Sequence, residues 1–144
     1  MINGRGYPDT AFDAPLEAPM MDDGSLGAQS QPVSSLITLN RAIDGNKLLL
    51  RLSDLSVTKY STITALGLPM RVVGAGAAIA RGPDGKDQFY QTSSVTLGGG
   101  EAVEVIIDAT GVPAGTYFLY TTNLNYLSNN EEDYGGMMTE IVIQ

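Results

Sequence analysis

The chain has 144 residues, 43% of them hydrophobic and 7% aromatic, with 16 acidic against 8 basic side chains and a net charge of −8. That length suffices for one domain with a real core, and the acidic balance excludes a groove that neutralises nucleic-acid phosphates. With neither cysteine nor histidine in the sequence, disulfides, thiolate nucleophiles, zinc ribbons and both serine–histidine and cysteine–histidine catalysis are excluded.

Residues 1–10, MINGRGYPDT, begin abruptly, as though a strand had been entered midway, and Pro8 keeps Tyr7 from helical angles. The first residues lack the apolar core of a signal peptide, so the chain is expected either to stay in the cytoplasm or to be a piece of something larger. Residues 11–32 hold two prolines before Met21, Pro15 and Pro19, then Asp22, Asp23, Gly24 and Gly27. They predict an irregular arm with turn chemistry and no periodicity.

From residue 33 the sequence reads as strands separated by turns. Residues 35–39, SLITL, predict a strand, and Asp44-Gly45-Asn46 a turn. Residues 47–53, KLLLRLS, form a run apolar enough for a central strand. Residues 56–66 are β-formers interrupted by Gly67 and Pro69, and Met70 to Val73 resume the pattern. Pro83-Asp84-Gly85 is a tight-turn signal. Residues 88–97 alternate poorly, and Gly98-Gly99-Gly100 then turns the chain into residues 101–108, EAVEVIID. Residues 117–122 supply aromatic and β-branched side chains, and in the last strand Met137, Thr139, Ile141 and Ile143 share one face. Strands at roughly ten-residue spacing, with no helical stripe and no internal repeat, predict an all-β Greek-key sandwich or barrel. No run approaches the roughly 18 apolar residues of a membrane span, so no membrane partner is expected.

The segments KLLLRLSDLSVTKY, GLPMRVV, TLGGGEAVEVIIDATGVPAGTYFLYTTNL and GGMMTEIVI, in that order, resemble a cupredoxin-like domain of a multicopper oxidase. The resemblance covers about residues 33–143 and implies a single domain over residues 1–144, with 11–32 as its arm. It lays the family's copper-ligand positions on Ser61, Thr64, Leu66 and Leu68, and on Tyr120, Thr121, Thr122 and Tyr126, with Met137 or Met138 at the axial methionine. Every histidine and the cysteine are missing, and a His₂Cys copper site cannot form without them. The chain is most similar to the middle domain that lacks copper ligands in three-domain members. A cupredoxin engineered to lack its site would read the same way.

That resemblance implies no catalytic residue and no cofactor in this chain. Copper would sit in the other domains of a periplasmic or secreted parent. The partners would be flanking cupredoxin domains held in register, and self-association through an exposed edge strand is expected of a chain separated from them. The alternative is a stand-alone binding module. Asn129, Asn130, Glu131, Glu132 and Asp133 after Ser128 would offer oxygen ligands to calcium or bind a protein partner. The EF-hand spacing is absent, and a solvated loop is the plainer reading; Ser128 to Glu131 also fits a capping box. Met20, Met21, Met70, Met137 and Met138 could offer thioethers to copper(I), although neighbours on a strand face opposite ways. Glu101, Glu104 and Asp108 do not define a hydrolytic carboxylate pair. Tyr117, Tyr120, Tyr126 and Tyr134 gather around the last hairpin as a pocket cap or an interface.

Overall fold

A computed structural model describes residues 1–14, 20–25, 34–128 and 133–144. Ten strands form two sheets: β1 Ile37–Leu39, β2 Lys47–Ser53, β3 Ser61–Ala65, β4 Met70–Ala75, β5 Ala78–Ile79, β6 Tyr90–Thr92, β7 Ser94–Leu97, β8 Ala102–Asp108, β9 Gly115–Thr121 and β10 Met138–Ile143. The first sheet runs β1-β10-β9-β3-β7; the second runs β2-β8-β4-β5, with β6 also on β4. All pairs are antiparallel except β1 with β10. This is the all-β sandwich that the strand spacing predicts.

Period-two alternation sets the core. Val103, Val105 and Ile107 of β8 face Leu119 of β9 and Ile141 and Ile143 of β10, with Met70 and Val72 of β4 beside them, all buried. The intervening residues of β8 and β10 are half-buried or exposed. Burying one aliphatic side chain of this size contributes about 1.5–3 kcal/mol, and the two sheets obtain most of that by facing each other.

Three expectations are corrected. The leucine-rich β2 is an edge strand, not a central one, because among the described residues it pairs only with β8. Leu50 is buried and Leu48 and Leu52 lean on the core, but Leu49 is 49% exposed on the other face. Residues 88–97 alternate poorly because they are two strands in different sheets, β6 and β7, with the crossing at Ser93. Residues 1–10 are turns joined by an Ile2–Arg5 bridge, not a strand.

Helix is confined, among the described residues, to two single turns, in keeping with the lack of a helical stripe. Arg41–Asp44 forms α1, where the Asn40 side chain accepts from the Ala42 N–H and Asp44 accepts from the Asn40 N–H. Leu124–Tyr126 is a 3₁₀ turn capped by Asn123. The Pro83-Asp84-Gly85 turn is as expected, closed by the Gly85 N–H on the Gly82 carbonyl with Gly85 at a φ of 79°.

Ile141 is fully buried at the meeting of both sheets. Ile141→Ala should lower unfolding free energy by about 3 kcal/mol, whereas Leu55→Ala, at a residue 90% exposed, should change it by less than about 0.5 kcal/mol. Urea titrations of both variants check this.

Candidate functional site

The two segments on which the resemblance places copper ligands do meet. Strands β3 and β9 pair with Thr64 opposite Tyr120 and Ile63 opposite Thr121, and the Thr122 N–H continues the ladder to the Thr62 carbonyl. Beyond β9, the Thr121 N–H bonds the Met137 carbonyl at 3.1 Å, and the Met137 N–H bonds the Tyr126 carbonyl at 2.8 Å. Thr121, Tyr126 and Met137 are thus fastened together at one end of the first sheet. Leu66 and Leu68 lie past the opposite end of β3, and at about 3.3 Å per residue they cannot share an ion with Ser61.

The donors at these positions do not fit a copper ion. Thr64 spends its hydroxyl on the Ser93 carbonyl at 2.7 Å, and the buried Thr121 hydroxyl accepts from the Asn123 N–H at 3.2 Å. Tyr126 carries the Lys59 ammonium 4.9 Å from its ring centroid, a cation on the face where a metal would need a donor. Blue-copper and trinuclear sites take imidazole and thiolate. These strands offer neutral hydroxyls and aliphatic carbon.

The remaining candidates separate. Asn129, Asn130, Glu131 and Glu132 lie outside the described residues, and Asp133 is exposed at the loop's far side. Met70 is sealed in the core on β4, while Met20 and Met21 are 74% and 53% exposed on a turn, so the methionines occupy different environments. Met137 packs against the core; Met138 lies opposite Tyr120. Glu101 accepts from the Gly98 N–H and closes the glycine turn, and Asp108 accepts from the Thr110 N–H. Both carboxylates serve turns. Tyr117 donates to the Pro113 carbonyl beside Gly67, at the end of β3 away from Tyr126, so the tyrosines do not make one surface.

A groove that sequence reasoning missed opens between the sheets. Its volume is about 900 Å³, and it runs along residues 34–37 on one side and 49–53 on the other, with Leu119, Met137 and Tyr126 among its walls. Asp54 lines it, only 8% exposed. One carboxylate oxygen accepts from the Ser56 N–H at 2.6 Å; the other, Oδ2, is buried with no hydrogen-bond partner among the described residues. The Ser56 backbone bond is the largest cause holding this carboxyl below its ordinary range; the Ser61 hydroxyl, which makes no hydrogen bond of ordinary geometry to it, contributes least. The D-x-S spacing at residues 54–56, an Asx-turn signal after an apolar strand, was the clue in the sequence.

The strands on which the resemblance places copper ligands thus meet within a two-sheet β-sandwich, with hydroxyls and aliphatic side chains at most of those positions. No protein-family model matches the chain and no curated protein matches its sequence. Solved structures do. A blue copper oxidase from Nitrosomonas europaea is 20% identical with a TM-score of 0.59, covering 74% of this chain and 30% of that one. The multicopper oxidase mgLAC is 16% identical with a TM-score of 0.61, covering 90% and 41%. A multicopper oxidase from the hyperthermophile Aquifex aeolicus is 16% identical with a TM-score of 0.53, covering 79% and 22%. The fold is that of the cupredoxin-like domains of multicopper oxidases, and the chain spans less than half the length of each of these proteins.

Stability should depend on pH at both extremes. Asp23, Asp54 and Asp108 all have depressed folded-state pKa values, chiefly through the Ser25 hydroxyl, the Ser56 N–H and Thr110 respectively. Their contribution is present above the unfolded value of about 3.9 and is lost as pH falls through the folded values. Tyr7 is raised, first by its 2.8 Å bond to Glu140, so its contribution holds below about pH 10 and is lost as pH rises through the folded value. Melting temperatures should therefore fall below about pH 4 and above about pH 10, and Asp54→Asn should flatten the acid limb.

Proposed function

We propose that this chain is a copper-free structural module of a multicopper oxidase, holding flanking copper-bearing domains in register and inactive as an oxidase alone. The observation that carries this is the pairing of β3 with β9. The strands that would deliver metal ligands are in register, yet the positions hold Ser61, Thr64, Leu66, Leu68, Tyr120, Thr121, Thr122 and Tyr126. The partial coverage of the similar oxidases, 22–41% of their lengths, supports a piece of a larger assembly. The parent's copper would reside in those neighbouring domains, in an exported enzyme.

A scaffold of this kind keeps the sandwich and dispenses with the ligands, because packing of the two sheets does not require the metal. Copper added in excess and then dialysed should leave no stoichiometric metal and no charge-transfer band in the visible spectrum. One retained copper per chain, with or without a band, would overturn the copper-free reading. For the interdomain role, the native gene should encode copper-ligand segments on either side of this stretch.

A further inference from the structure

The geometry points to the groove between β1 and β2 as a docking site for an extended partner segment, whose lysine or arginine cation meets the Asp54 carboxylate. Three observations combine. First, both walls are strand edges: β2 pairs only with β8 and β1 only with β10 among the described residues. Their outward N–H and C=O groups offer a ladder to one more strand, as in recognition by strand addition. An extended chain satisfies such edges, and a compact ligand does not.

Second, the interior between these edges is apolar, with Ile37, Leu50, Leu52, Leu119 and Met137 along it. Alternate side chains of an inserted strand would enter there. Third, Asp54 stands at one end, more than nine-tenths buried, with Oδ2 unpartnered. A buried carboxylate oxygen without a donor is costly, and a cation on the incoming chain removes that cost. Arg51 and Lys59 also line the groove. The two ion pairs among the described residues, Arg81–Asp87 and Lys86–Asp84, involve neither of them nor Asp54. Lys59 instead stands over Tyr126. The chain's net charge of −8 favours the approach of a basic segment in the same sense.

The test uses the full chain and a labelled seven-residue peptide, matched to the 7 residues of β2. The peptide alternates valine and threonine, has blocked ends and carries lysine at both ends, so either strand direction brings a cation to Asp54. The control replaces both lysines with Nε-acetyllysine, which keeps the stem and removes the charge. Fluorescence anisotropy should give at least about tenfold tighter binding of the lysine peptide. Asp54→Asn keeps an acceptor for the Ser56 N–H, and it should erase the preference while leaving the chain folded at pH 7, as its circular dichroism spectrum at room temperature reports. Lys59→Met should leave the preference intact. Equal binding of the two peptides, no binding of either, or a preference that survives Asp54→Asn would overturn the proposal. So would a preference seen only in Lys59→Met, which would make Lys59 the resident partner of Asp54. Displacement of the peptide by n-hexylamine at matched concentration would assign the site to small amines instead, and the strand proposal would fall.

Discussion

The closure of the sandwich rests on β10. It is the one strand that pairs in both senses, parallel to β1 and antiparallel to β9, and its Ile141 and Ile143 are almost wholly excluded from solvent. On the side away from β9, its first residues are held by the amino-terminal turns rather than by a strand. The Tyr7 N–H bonds the Gly136 carbonyl, the Thr10 hydroxyl donates to the Met138 carbonyl at 2.6 Å, and the Thr139 hydroxyl donates to the Ser35 carbonyl at 3.0 Å. Thr10 and Thr139 are buried, so these hydroxyls would be expensive to leave unpaired. Three short bonds therefore do what a longer β1 would otherwise do. The same anchoring fixes Gly136, where a Cβ would collide with the Tyr126 carbonyl, and so brings Met137, Thr121 and Tyr126 to a single corner.

Much of this was legible in the sequence. Strands with strict alternation, β8 and β10, lie within one residue of where periodicity puts them, because one buried face determines both their extent and their orientation. The parity of Thr139, Ile141 and Ile143 was readable for the same reason. What alternation cannot supply is the neighbour. KLLLRLS reads as continuous apolar sequence, yet its position at the edge depends on which strand arrives at its other side, and that is a long-range property. Ser93 shows the same limit. A switch of sheets in mid-segment appears in sequence only as weak alternation. The single turn of α1 is set by the Asn40 side chain accepting from the Ala42 N–H and the Asp44 carboxylate accepting from the Asn40 N–H, a signal too short to register as periodicity.

At the site, the residues that are absent were more legible than the residues that matter. The lack of histidine and cysteine is certain from composition, and the register of β3 on β9 gives that lack a location. Asp54 was not singled out, because a lone aspartate after a strand reads as a turn former. It is one: Oδ1 caps Ser56. Its second oxygen becomes unusual only once the sheets close around it and leave a groove alongside, which no local pattern encodes.

The groove and the corner where Thr121, Tyr126 and Met137 meet are parts of one arrangement. Ser61, Tyr126 and Met137, three of the positions laid on metal ligands, line the same cleft as Asp54. Among the described residues the cleft is bounded by two strand edges, those of β1 and β2, that pair with no further strand. Exposed edges are a hazard that proteins blunt with charge, and β2 carries Lys47 and Arg51 among its leucines. Those charges sit opposite Asp108 and Glu104 of β8 in the existing ladder, so β2 already favours a neighbour of chosen charge pattern over indiscriminate pairing. An edge kept apolar on its inner face, charged on its outer face and bordered by a buried carboxylate is selective about what may complete it, and that selectivity is what separates a docking edge from an aggregating one.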